Sequence, residues 1–176
     1  MNKYKIKGVK KLEQICIPEV EQAAKKIKNK RIDIYSIKLV KEKSVNYDIS
    51  SGISTPQKAY EIIESIMQLS KEVKEHFIIL CLNVKNSICG IHTISVGTVN
   101  ASLVRPREVF QAALLNNAAS IICFHNHPSG DPQVSCEDVN ITRCLADAGK
   151  LMNITVLDHI VVGENRYLSM MEEGMF

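Results

Sequence analysis

One stretch constrains this chain more than any other. The apolar run Ser120-Ile121-Ile122-Cys123-Phe124 leads straight into His125-Asn126-His127-Pro128-Ser129-Gly130-Asp131-Pro132-Gln133-Val134-Ser135-Cys136-Glu137-Asp138. The run is short, apolar and bounded by turn residues, so it reads as a buried strand. Side chains two apart in extended chain point the same way, so His125 and His127 aim their imidazoles at one place. Pro128, Gly130 and Pro132 then force a tight, irregular turn. The amphipathic stretch behind Ser135 reads as a helix whose first turn carries Asp138 back towards the strand end. Two imidazoles and a carboxylate form a three-ligand set for one zinc ion per chain. A water in the fourth position is the arrangement of a hydrolytic site. Ser135-x-x-Asp138 is also a variant capping box, serine at the N-cap and an acid at the third position. The two roles can coexist.

His-x-His, seven residues, then Ser-x-x-Asp resembles the JAMM motif of MPN-domain metalloproteases. The fuller string His125 to Pro132 resembles the RadC family within that group. Arg105-Pro106-Arg107-Glu108-Val109-Phe110 and Leu157-Asp158-His159-Ile160-Val161-Val162-Gly163 agree with it. The resemblance runs from about Asp33 to the C-terminus. It implies an α/β (α+β) domain with a mixed, curved central sheet flanked by helices. It also implies zinc-dependent hydrolysis of a peptide or isopeptide bond, a glutamate base upstream, and a serine beside the tetrahedral intermediate. Ser135 matches that serine. The family places its base near the start of the strand ahead of the metal motif. That selects Glu75, where a long helix meets the Phe77 strand. Glu108 is the rival, although an acid in a first helical turn is also explained by the helix dipole. Asp158-His159 reads as a structural pair ending a buried strand, with support of a ligand as the alternative. Asp131 reads as a turn acid.

The charge is uneven. Residues 1–45 hold 13 Lys/Arg and 5 Asp/Glu, a net of +8, whereas residues 46–176 carry −5. The chain is therefore divided into a lysine-rich arm, 1–31, and a RadC-type MPN/JAMM domain, 32–176. A basic arm can contact nucleic acid. Here the lysines are dispersed and no aromatic stacking pattern accompanies them, so a solvated helix is the preferred reading. Longer RadC relatives carry a helix-hairpin-helix module ahead of the domain. No Gly-x-Gly hairpin stands here, so that module's DNA binding is not carried over. A DNA-repair-associated accessory and a metal-binding scaffold without turnover are the competing functions.

No apolar run approaches the ~20 residues that cross a membrane. The start, Met1 to Lys7, lacks a signal-peptide h-region, which predicts a cytoplasmic protein. The six cysteines then read as reduced thiols, and the lack of a Cys-x-x-Cys pair argues against a four-cysteine zinc site.

Along the chain, helices are expected over Pro18–Lys28, from Ser54-Thr55-Pro56, from Arg105 to Asn116-Asn117, and after Ser135, the last burying Val139, Leu145, Ala146 and Leu151. Strands are expected over Asp33–Val40, Phe77–Val84, Ile88–Val96, at the His-x-His run, and over Thr155–Val162.

Overall fold

The structure is a computed structural model, and it describes residues 32–34, 36–46, 52–97 and 104–176. The helix expected over Pro18–Lys28 lies outside the described residues.

Thr55 starts helix α1 (Pro56–Met67) as its chemistry dictates. Its extended backbone and its hydroxyl, accepting from the Lys58 N–H, cap the first turn, and Pro56 fills a position whose N–H has no helical partner. Ala59, Ile62 and Ile63 form the buried face. Gln68, in the left-handed region, ends the helix, and Leu69 is fully buried in the 3-10 turn Leu69–Lys71 that follows.

Strand β1 (Glu75–Leu82) begins two residues before the expected Phe77, so Glu75 is its first residue. It pairs antiparallel with β2 (Ile88–Gly97) in the expected hairpin. Helix α2 (Pro106–Leu115) follows, then β3 (Ser120–Asn126), all of whose residues are buried. Helix α3 (Cys136–Met152) crosses to β4 (Thr155–Val162), parallel to β3, and the short β5 (Tyr167–Ser169) closes the edge. Among the described residues the sheet order is β2-β1-β3-β4-β5, a mixed sheet with helices on both faces.

Period-two alternation sorts the central strands between two cores. Phe77, Ile79, Cys81, Ile121 and Cys123 face Phe110 of α2 and Leu145 of α3. Ile78, Leu80, Leu82, Ile122 and Phe124 face Ala59, Ile63 and Leu69. Each such side chain, fully buried, contributes about 1.5–3 kcal/mol. Continuing the alternation puts His125 on the α2/α3 face and Asn126 on the α1 face.

Two expectations fail. The described residues of Asp33–Val40 form no strand, and Ile34 and Val40 are 94% and 84% exposed. Their apolar positions do not keep one face, because Leu39 and Val40 are adjacent, and no described strand pairs with them. Leu151 is 89% exposed rather than on the buried face of α3, where Leu145 is fully buried. No helix among the described residues is long and apolar enough to cross a membrane.

Candidate metal centre

His125 is the fully buried penultimate residue of β3, and His127 stands one residue beyond the strand. The ribbon is held there by the His127 N–H, which donates to the Val162 carbonyl at 2.9 Å. The turn that follows returns on itself. The Gly130 N–H donates to the His127 carbonyl at 2.9 Å, and the Gly130 φ of +80° is one that side chains rarely adopt. His127 Nδ1 lies 2.7 Å from the Asp131 carbonyl oxygen, which only accepts, so Nδ1 carries the proton and Nε2 keeps its lone pair. Asp131 thus serves through its backbone, while its carboxylate meets Arg166 at 3.4 Å.

Helix α3 supplies the carboxylate. Ser135 donates to Asp138 Oδ2 from its N–H at 2.8 Å and its hydroxyl at 2.6 Å, and its Oγ accepts from the Asp138 N–H at 3.1 Å. This is the expected capping box. It leaves Asp138 Oδ1 free of Ser135, 3.4 Å from His125 Nε2, while Oδ2 lies 3.8 Å from His127 Nε2. The two Nε2 atoms are 3.0 Å apart. Glu75 stands beside the same two rings: a carboxylate oxygen of Glu75 and one ring nitrogen each of His125 and His127 all lie within 4.8 Å of one another.

These groups could hold a metal ion. Ligand atoms about 2.0–2.1 Å from a tetrahedral zinc lie roughly 3.3 Å apart, close to the 3.0 Å between the two Nε2 atoms and the 3.4 Å from His125 Nε2 to Asp138 Oδ1, whereas His127 Nε2 meets the other oxygen of Asp138, at 3.8 Å. Two ring nitrogens and a carboxylate crowd together at this range, and a cation shared among them would satisfy all three. Burial pulls His125 down to about 4, against the upward pull of Asp138, so its ring is neutral at pH 7 and able to ligate. Phe77 shields this side, its ring centroid 6.5 Å from that of His125 and 5.3 Å from that of His159.

Behind the ligands stands a second polar layer. His125 Nδ1 lies 2.8 Å from His159 Nε2, and His159 Nδ1 lies 2.5 Å from Thr142 Oγ1. Burial holds His159 well below the usual histidine range, and His125 and His127 push it the same way. Of the Asp158-His159 pair, Asp158 is the structural member. It accepts from the His159 and Met171 N–H groups and from the Ser169 hydroxyl, at 2.7, 3.1 and 2.6 Å. His159 touches a candidate ligand.

Asn126, between the two histidines, points to the opposite face and clamps the segment around Glu75. Its amide donates to the Glu72 and Lys74 carbonyls at 3.1 and 3.0 Å, and its Oδ1 accepts from the His76 N–H at 2.8 Å. Glu108 sits in the first turn of α2, 3.6 Å from Arg107, and is not in the cluster with the histidines. Sequence reasoning missed Asn126 and Thr142. Strand parity could have signalled the first, whereas nothing local signals the second.

A mixed sheet that delivers paired histidines from a central strand and an acid from the next helix defines an MPN-type architecture. The chain belongs to the RadC-like JAB domain family, whose profile matches residues 53–175. A UPF0758 protein of Listeria monocytogenes is 49% identical over 124 residues, 70% of this chain and 54% of that protein. A UPF0758 protein of the archaeon Methanosarcina barkeri is 48% identical over 122 residues, 69% of this chain and 52% of that protein. The chain matches about half the length of these relatives.

Proposed function

We propose that this chain is a zinc-dependent hydrolase of the JAMM type, a metallopeptidase acting on peptide or isopeptide bonds. The observation that carries the reading is the gathering of His125, His127, Asp138 and Glu75 at one end of the β1–β3 pair. His125 Nε2, His127 Nε2 and Asp138 are the zinc ligands. Zinc held there supplies a Lewis acid that polarises a carbonyl and brings the pKa of water to about 7. Glu75 is the general base. As the first residue of β1, half-buried beside the two rings, its carboxylate takes a proton from water and passes it to the leaving amine.

Ser135 is the donor to the developing oxyanion. In the resting structure its single hydroxyl proton goes to Asp138 Oδ2. Rotation of the hydroxyl re-aims that proton, and the Ser135 N–H still holds Oδ2. A donor so placed contributes of order 10²–10³ in rate.

Elemental analysis of the purified chain and of His127→Ala tests the ligand set. One zinc per wild-type chain and little in the variant is expected, with the fold retained, and equal zinc in both refutes it. Proteome digests with wild type and Glu75→Gln test the chemistry. New peptide N-termini or released isopeptide-linked lysines should appear with the wild type alone, and their absence there refutes peptidase activity.

A further inference from the structure

We propose that Thr142 and His159 are positioning residues that set which nitrogen of His125 carries the proton, so that its ligand atom is bare. The proposal rests on His125 and His127 being the metal ligands, and it follows from counting protons.

The Thr142 hydroxyl has one proton and three neighbours: the Asp138 carbonyl at 2.6 Å, His159 Nδ1 at 2.5 Å and Met170 Sδ at 3.6 Å. A carbonyl can only accept, so the proton goes to Asp138, one helical turn back. The hydroxyl then offers His159 Nδ1 only a lone pair, and Nδ1 must carry a proton. His159 is fully buried, where a second ring proton would be a costly buried charge, so its Nε2 stays bare. His125 Nδ1, 2.8 Å away, must therefore donate to it. The neutral His125 ring then has a bare Nε2, 3.0 Å from the bare Nε2 of His127. His127 reaches the same state independently, through the Asp131 carbonyl.

The relay begins and ends on the ligand set. Its first acceptor is the backbone of Asp138, and its last nitrogen lies 3.4 Å from the Asp138 carboxylate. Reversed, the relay runs Thr142 to His159 Nδ1 and His159 Nε2–H to His125 Nδ1. That state puts a proton on His125 Nε2 and blocks the metal position. Removing the hydroxyl removes the bias between the two states.

Long-range proton–nitrogen correlation NMR of the metal-free protein reads the tautomers directly. Protonated Nδ1 and bare Nε2 on His125, His127 and His159 are expected. Protonated Nε2 on His125 or His159 in the wild type overturns the proposal. Thr142→Val keeps the shape and removes the hydroxyl. It should mix the tautomers of His159 and His125 and weaken zinc binding, measured by chelator competition, about 10–100-fold. Thr142→Ser should restore both. Wild-type tautomers and zinc affinity in Thr142→Val also overturn it. If Thr142→Val does not fold, the wild-type and Thr142→Ser spectra decide. Expected tautomers in a wild-type chain that binds no zinc would support the relay and refute the ligand reading.

Discussion

Asn126→Ala removes the clamp that ties β3 to the segment carrying Glu75. The side chain is 1% exposed and makes three hydrogen bonds, to the carbonyls of Glu72 and Lys74 and from the N–H of His76. At a net of about 1 kcal/mol each, their loss costs about 3 kcal/mol. Lys74 is exposed and Glu72 half-buried, so water can satisfy some of the released groups, and the expected loss is about 2–3 kcal/mol. Asn126→Asp sharpens the test. It keeps the acceptor for the His76 N–H but turns an oxygen towards two carbonyls. Burial and those oxygens hold the new carboxyl above the unfolded value of about 3.9. The folded state then binds the extra proton between that value and its own pKa. The deficit relative to wild type is therefore smallest below about pH 3.9, deepens as pH rises through that window, and levels off above it. Urea unfolding of the metal-free variants across pH measures both effects. A loss under about 0.5 kcal/mol in Asn126→Ala, or a pH-independent deficit in Asn126→Asp, refutes the clamp.

Glu75→Gln should retain zinc and fold while losing about 10²–10⁴-fold in rate on a cleaved peptide, whereas Glu108→Gln should cost only about 0.3–1 kcal/mol of stability. Kinetics and melting curves separate them, and a rate loss confined to Glu108→Gln reverses the assignment. In Gly163→Ala the new Cβ would lie 2.5 Å from the Gly130 carbonyl oxygen and 2.7 Å from Pro132 Cδ. Overpacking of about 1–3 kcal/mol and weaker zinc binding through the displaced His127 turn should follow, and unchanged melting and affinity would argue against that contact. Burial pushes the Cys81 thiol up to about 12 and raises that of the fully buried Cys123 as well. A disulfide reagent at pH 8 should label exposed Cys136 and Cys144 and spare both until urea is added, and rapid labelling of Cys123 in native protein contradicts the packing.

The histidine pair and its acid were legible because their geometry is set by local rules. Strand parity aims His125 and His127 together, and a capping box fixes where Asp138 stands on its helix. Thr155–Val162 was legible because its β-branched residues lie between the turn residues Asn153 and Gly163. The relay was not, since Thr142 and His159 are 17 residues apart and meet only because α3 packs on β4. Strand β5 is three residues long and lacks a run from which a period could be read. Asp33–Val40 is rich in β-branched residues, but β propensity needs a partner strand, and none among the described residues pairs with its described positions. Strand β1 starts two residues ahead of its apolar run, so Glu75 belongs to the strand ladder, opposite Gly97, and not to a junction.

The proposed ligands and the proposed base reach the centre by routes of very different length, and this orders events during folding. His127 and Asp138 are eleven residues apart and are brought together by one tight turn and one capped helix end. Closing so short a loop costs little entropy. Glu75 arrives only when β1 has zipped onto β3, and the clamp that holds its segment joins residues 50 to 54 positions apart. Long-range pairings of that kind form late. A chain emerging from the ribosome would thus acquire the means to grip a metal before it acquired the means to cut. On the proposed hydrolytic reading, that sequence of events is a built-in safety catch among other unfolded polypeptides.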